Sequence, residues 1–211
     1  MKTILCFGDS NTWGCVPTNP LVVERYAIKM RWTGVLNQQL GDGYDIIEEG
    51  LNGRTTVWDD PVESIMSGKA YLMPCLTSHM PLDLVILMLG TNDLKQRFSV
   101  SAFDIAESAG SLVKMIQKSE IGPAGEAPQV LLLAPPPLGK LSEFAEMFAG
   151  GMEKSILLGH HYQRVADLLQ CSYLNTADII VSSDFDGIHL EADAHLELGV
   201  RLAGVVREIL D

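Results

Sequence analysis

The chain has 211 residues, 47% hydrophobic and 20% charged, with 19 glycines and 10 prolines scattered along it. That length makes one ordinary domain able to bury a core without disulfide staples, and the composition excludes a disordered tail, a collagen-like repeat and a coiled coil. Fifteen Lys and Arg stand against 27 Asp and Glu, a formal net charge of −12, and so acidic a surface repels phosphate backbones and anionic membranes, so neither is expected as a partner.

Residues 3–7 form an apolar run that stops at Gly8 and predicts a first strand. Trp32, Val35, Leu36 and Leu40 fall on one helical face, and residues 44–48 predict a second, weaker strand. Residues 55–81 form the first of two insertions, with Trp58-Asp59-Asp60-Pro61 and a helix expected over 70–78. The third strand, 82–89, is almost wholly aliphatic. Its longest unbroken run, 84–89, is far too short to cross a bilayer. Ile105, Ala109, Leu112 and Ile116 make the next helical stripe, before a fourth strand at 130–134. The second insertion, 135–151, opens on three prolines and carries Phe144, Met147 and Phe148. A stripe of Leu158, Tyr162, Val165 and Leu169 leads to a short fifth strand at 173–175, and Leu198, Leu202, Val205 and Ile209 close the chain. Continuous apolar strands alternating with amphipathic helices predict a single domain over residues 1–211, a doubly wound α/β sandwich with a parallel sheet and right-handed crossovers. The N-terminus shows no secretory pattern. Cys6, Cys15, Cys75 and Cys171 form no C-x-x-C and share no ligand spacing with a histidine pair, so free thiols in a reducing, cytoplasmic compartment are expected.

In an open α/β sheet, ligands bind beyond the carboxyl ends of the strands. Gly8-Asp9-Ser10-Asn11 follows the first strand, Asn52-Gly53-Arg54 the second, Gly90-Thr91-Asn92-Asp93 the third, and Asp186-Gly187-Ile188-His189 the fifth at some distance. Such a set suits acyl transfer. A serine hydroxyl needs a base, and His189 is the candidate, with Asp186 three residues earlier to fix its tautomer. The oxyanion needs aimed donors, which the N–H groups of Ser10 and Gly53 and the Asn92 amide can supply, each typically worth roughly 10²–10³ in rate. The expected roles are Ser10, Asp186 and His189 catalytic, and Ser10, Gly53 and Asn92 in the oxyanion hole. Trp13, Phe144, Phe148 and Ile188 flank the motifs and are expected to line an apolar acyl or aryl pocket.

The ordered blocks Phe7-Gly8-Asp9-Ser10, Asn52-Gly53, Gly90-Thr91-Asn92-Asp93 and Asp186-Gly187-Ile188-His189 resemble those of the SGNH (GDSL-type) hydrolase superfamily over nearly the whole chain. Residues 31–36, 48–51, 54–56 and 134–138 are similar to its bacterial arylesterase branch, which includes acyltransferases and perhydrolases. The resemblance implies a three-layer flavodoxin-like fold with a five-stranded sheet, the same triad and oxyanion residues, no cofactor, short acyl esters as substrates, and a homo-oligomer, octameric in some relatives. Asn11 stands where the motif has Leu, which bears on the shape of the acyl pocket, so it joins the substrate-binding candidates.

Competing readings attach to several residues. His195, with Asp193 nearby, is a rival base but is read as a surface or helix-N-terminal histidine. His160 and His161 are read as solvated or partly packed, and His79 as a loop or helix-end residue. A metal site from Asp186, His189 and His195 lacks recognised spacing, so no metal is expected. Asp9 and Asp93 are read as acceptors for loop amides, and Arg54 and Lys95 as loop-pinning cations. A carbohydrate O-acetyl esterase, thioesterase or lysophospholipase of the same superfamily, and a non-catalytic ligand-binding module, are the alternative functions.

Overall fold

The computed structural model describes residues 1–18 and 22–211. Five strands, β1 (Lys2–Gly8), β2 (Tyr44–Gly50), β3 (Leu84–Met88), β4 (Gln129–Ala134) and β5 (Ser172–Asn175), form one sheet in the order β2-β1-β3-β4-β5. Every pairing is parallel. This is the flavodoxin-like strand order, with its reversal point beside β1. The short α1 (Ser10–Trp13) follows β1, and α2 (Trp32–Leu40), α3 (Gly68–His79), α4 (Ala102–Gln117), α5 (Gly151–Leu169) and α6 (Ala192–Leu210) are the other α-helices. Among the described residues, no helix is long and apolar enough to cross a membrane.

Strand side chains alternate between two faces, so the central strands feed two cores. Leu5, Phe7, Val85, Leu87, Val130 and Leu132 face α3, α4 and α5. Ile4, Cys6, Leu84, Ile86, Leu131 and Leu133 face α2 and α6. Burial on both faces is the physical reason β3 and β4 are nearly continuous apolar runs. The helical stripes fall inward: Ile105, Ala109, Leu112 and Ile116 are fully buried, as are Leu158, Tyr162, Leu198 and Leu202. A capping box between Ser101 and Asp104 starts α4. The insertion helix runs two residues earlier and one later than the 70–78 expected, because Ser67 caps it by accepting from the Ala70 N–H. Residues 135–150 fold as turns with no α-helix or strand.

His195 differs from its expected setting. It lies in the first turn of α6, but it is fully buried rather than on the surface. Arg31, at the start of α2, offers no side-chain cap. His195 Nδ1 accepts the Trp32 N–H at 3.3 Å in its place, so α6 caps α2. Burial, then the nearby charges of Arg31 and His189, push this imidazole down to about 4. The unfolded chain therefore binds more protons than the native state between about pH 6.5 and pH 4, so the penalty is absent above the unfolded value and complete below the folded one. The expected result is a wild-type stability that falls by roughly 3 kcal/mol more than that of His195→Asn as pH drops through this window, measured by urea unfolding. Parallel pH dependence in the two proteins would exclude it.

Candidate active site

Ser10 opens α1 directly beyond the end of β1, and the turn is fixed by Asp9, whose Oδ1 accepts the Asn11 N–H at 3.0 Å. The fifth strand leads into a turn-rich loop that delivers Asp186 and His189 to the same edge. His189 Nδ1 lies 2.7 Å from Asp186 Oδ2, and His189 Nε2 lies 3.1 Å from Ser10 Oγ. Asp186 Oδ1 accepts the N–H groups of Ile188 and His189 at 2.8 and 2.9 Å. Both carboxylate oxygens are thus committed, and the ring is oriented with one nitrogen toward the hydroxyl. Gly187 adopts φ +74°, and a methyl group there would meet the Lys140 backbone at 2.7 Å. Burial works to raise Asp186, yet the hydrogen bonds from His189 and the loop hold it below the ordinary carboxylate range. For His189, burial opposes the charge, but the hydrogen bond to Asp186, joined by the Cys15 side chain, raises it above the usual imidazole range. An imidazole so placed can take a proton from the serine and return it to a leaving group.

Gly53 and Asn92 line the same cleft as Ser10 and His189. Gly53 holds φ +81°, the left-handed region that favours glycine. Asn92 Nδ2 donates to Arg54 O at 3.1 Å, which fixes the amide and leaves its second N–H available. Arg54 is buried over the Phe7 ring at 4.2 Å, and its Nη1 donates to Gly8 O at 2.8 Å and also to Glu49 O. It pins loops, as expected. So does Lys95, through Glu63 at 2.8 Å. Asp93 accepts the Thr56 N–H at 3.1 Å, so Asp9 and Asp93 both serve loop amides. Burial is the leading influence on these two carboxyls and pushes each up to about 6, against the pull of their hydrogen bonds.

The cleft holds about 400 Å³, lined by Phe144, Phe148 and Ile188 as the sequence suggested, and also by Cys15, Val16, Val22, Val23, Asn52, Glu63 and Met147. Asn11 and Trp13 are not in this lining. Asn11 is buried, with Nδ2 donating to Ile188 O at 3.2 Å and Oδ1 accepting the Leu190 N–H at 3.1 Å. It clips the histidine loop to α1, a role that needs an amide able both to donate and to accept. The Trp13 ring is instead covered by the Arg25 guanidinium at 4.8 Å. No strand-end motif marks Cys15 or Glu63 as lining residues: Cys15 follows α1, its N–H donating to Ser10 O at 3.0 Å, and Glu63 reaches the cleft from the first insertion.

His195 is engaged with Trp32 and does not join Asp186 and His189. His160 is exposed, His161 partly buried, and His79 ends α3. Among the described residues, one group of metal-type donors gathers elsewhere: Glu49, Cys75 and His79, within 4.8 Å of one another. Two of the three are already hydrogen-bonded, His79 Nε2 to Glu49 Oε1 at 2.8 Å. Burial, ahead of the Glu49 charge, pushes the Cys75 thiol up to about 12. The four cysteines are free thiols.

The GDSL-like lipase/acylhydrolase family model matches residues 6–196. Among solved structures, a carbohydrate acetylesterase from Sinorhizobium meliloti is 43% identical, with a TM-score of 0.96 over 99% of this chain and 100% of that one. An aryl esterase from M. smegmatis is also 43% identical, with a TM-score of 0.95 over the whole of both chains. A second carbohydrate acetylesterase family member from S. meliloti is 38% identical, with a TM-score of 0.93 over 100% of this chain and 99% of that one. No match is found among curated proteins. Fold and site together define a carboxylic ester hydrolase. The chain belongs to the GDSL-like lipase/acylhydrolase family.

Because Asn11 holds Ile188 O and the Leu190 N–H, Asn11→Ala leaves two buried backbone groups unpaired. The expected cost is about 2 kcal/mol in urea unfolding, with a fall in kcat as the His189 loop loosens. Stability and kcat both equal to wild type would contradict this account of Asn11.

Proposed function

We propose that the protein is a serine esterase that cleaves short-chain acyl or aryl esters through an acyl-enzyme, with Ser10 as nucleophile, His189 as general base and acid, and Asp186 as its orienting partner. The observation that carries this reading is the unbroken relay from Asp186 through His189 to Ser10 Oγ, at 2.7 and 3.1 Å, at the edge of a largely apolar cleft. Ser10 Oγ attacks the ester carbonyl as its proton passes to His189 Nε2. The oxyanion is met by the Ser10 and Gly53 N–H groups and the free N–H of Asn92. His189 then protonates the departing alcohol, and water attacks the acyl-enzyme with the same ring as base. The aryl esterase among the similar structures supports small, flat leaving groups, for which Phe144, Phe148 and Ile188 offer apolar contact.

The apolar wall also favours an alcohol over water as acyl acceptor, so transfer accompanies hydrolysis. In wet butanol, butyl ester is expected beside free acid; free acid alone would exclude transfer.

Incubation with an activated ester should give an intact-mass increase of one acyl group that maps to Ser10. Ser10→Ala should lose both the adduct and turnover, by roughly 10⁴-fold or more, while keeping its fold. An adduct elsewhere, or undiminished turnover, would refute the assignment.

The raised pKa of His189 gives the sign of the pH dependence. The protonated ring cannot accept the serine proton, so kcat/KM climbs as pH rises through the folded value. The acid limb is expected above the ordinary histidine value of about 6.5. Asp186→Asn should shift that limb down and cut kcat by roughly 10³–10⁴. A limb at or below about 6.5 in the wild type would count against the relay.

A further inference from the structure

The lining of the cleft is largely apolar, with Val16, Val22, Val23, Phe144, Met147 and Phe148 among its residues. Among the described lining residues, Glu63 and Lys95 are the only charged side chains besides Asp186 and His189.

Glu63 is delivered by a tight turn built on a buried carboxylate. Asp60 Oδ1 accepts the N–H groups of Val62 and Glu63 at 2.8 and 3.1 Å. Its backbone pairs with Ser64, which holds φ +74°. The other oxygen of Asp60 is held by Arg97 Nε and Nη2 at 3.0 and 2.6 Å. Glu63 Oε1 then takes Lys95 Nζ at 2.8 Å and Arg97 Nη2 at 2.5 Å. Glu63 Oε2 accepts no hydrogen bond from the described residues, and it stands over Gly53: a methyl group on that glycine would come within 2.6 Å of it. Lys95 is 4% exposed, with one hydrogen bond to Glu63 and an ion pair to Asp60 at 3.6 Å, so one of its three donors is uncommitted.

A fixed carboxylate oxygen with open lone pairs thus borders the oxyanion glycine. An apolar group packed there would strip its water and return nothing. A hydroxyl can donate to Glu63 Oε2 and accept from Lys95 Nζ. An ammonium can only donate, and Lys95 and Arg97 already balance the charge of Glu63 and Asp60. We propose that Glu63 and Lys95 form a subsite that selects esters carrying a free hydroxyl on the portion lying beside Gly53, an inference that rests on the esterase reading above.

The test compares matched substrates: 2-hydroxyethyl acetate against propyl acetate and acetylcholine for the alcohol side, and ethyl 3-hydroxybutyrate against ethyl 3-methylbutanoate for the acyl side. At least one hydroxylated ester should exceed its apolar partner about tenfold in kcat/KM. Glu63→Gln keeps a carbonyl for Lys95 and Arg97 but turns the free acceptor into a donor. It should bring that ratio to near one. In a Ser10→Ala background, Glu63→Gln should weaken binding of the favoured ester about tenfold by calorimetry, with no turnover involved. No hydroxyl preference in the wild type, a preference for acetylcholine, or a parallel loss on every substrate would overturn the subsite. Absence of turnover on all five esters would instead fail the esterase reading, a distinct outcome.

Discussion

The Asp186 carboxylate is the constraint on which the site depends. It is almost wholly removed from solvent, so both oxygens must be paired or the fold bears the cost. One oxygen gathers two backbone N–H groups of its own loop and the other holds the imidazole. Loop conformation and ring orientation are therefore set by a single buried charge. The loop is closed by the Ser183 N–H donating to His189 O and the Gly187 N–H to Ser183 O, both at 2.8 Å, and Asn11 adds a further clamp by bridging it to the start of α1. Ser10 and His189 are thus held by contacts that also connect residues nearly 180 positions apart in sequence.

A second buried charge does the same for the opposite side of the cleft. Arg54 ties the carbonyl at the end of β1 to that of Glu49 on β2, and its own carbonyl receives the Asn92 amide from beyond β3. Three neighbouring strand ends are joined through one residue, two by its side chain, which rests on Phe7, and the third by its backbone carbonyl. A guanidinium suits this position because its planar fork can donate to two carbonyls while its face stacks on an aromatic ring. The Asn92 amide is thereby held in place at the edge of the cleft that Gly53 also lines.

Much of the sheet was legible because its chemistry is local. Residues 130–134 and 84–88 are apolar without alternation, which marks strands covered on both faces. The edge strand β2 carries Asp45, Glu48 and Glu49 and reads more weakly, since none of its residues is fully buried. The stripes of α4 and α5 were equally plain. Ser10 stands in a small polar turn directly after an apolar run, whereas Asp186 and His189 lie more than ten residues beyond β5, and the structure brings the three side chains within hydrogen-bonding distance. Asn11 and Trp13 stand in the same turns, yet proximity in sequence did not place their side chains in the cleft. Asn11 turns toward the Ile188–Leu190 backbone, and Trp13 lies beneath Arg25. His195 is helix-N-terminal, one of its two expected settings, but its burial could not be read locally because its partner, the Trp32 N–H, lies 163 positions away.

Taken alone, the sequence determined the fold class, the order of elements and the types of group available at the sheet edge, because hydrophobic period, glycine and turn chemistry act over a few residues. Only the tertiary structure decided which of those groups meet. The lining by Glu63, the clamp at Asn11 and the cap at His195 all arise where segments distant in the chain meet. Side-chain direction there is fixed by partners distant in the chain, and neither residue type nor spacing carries that information.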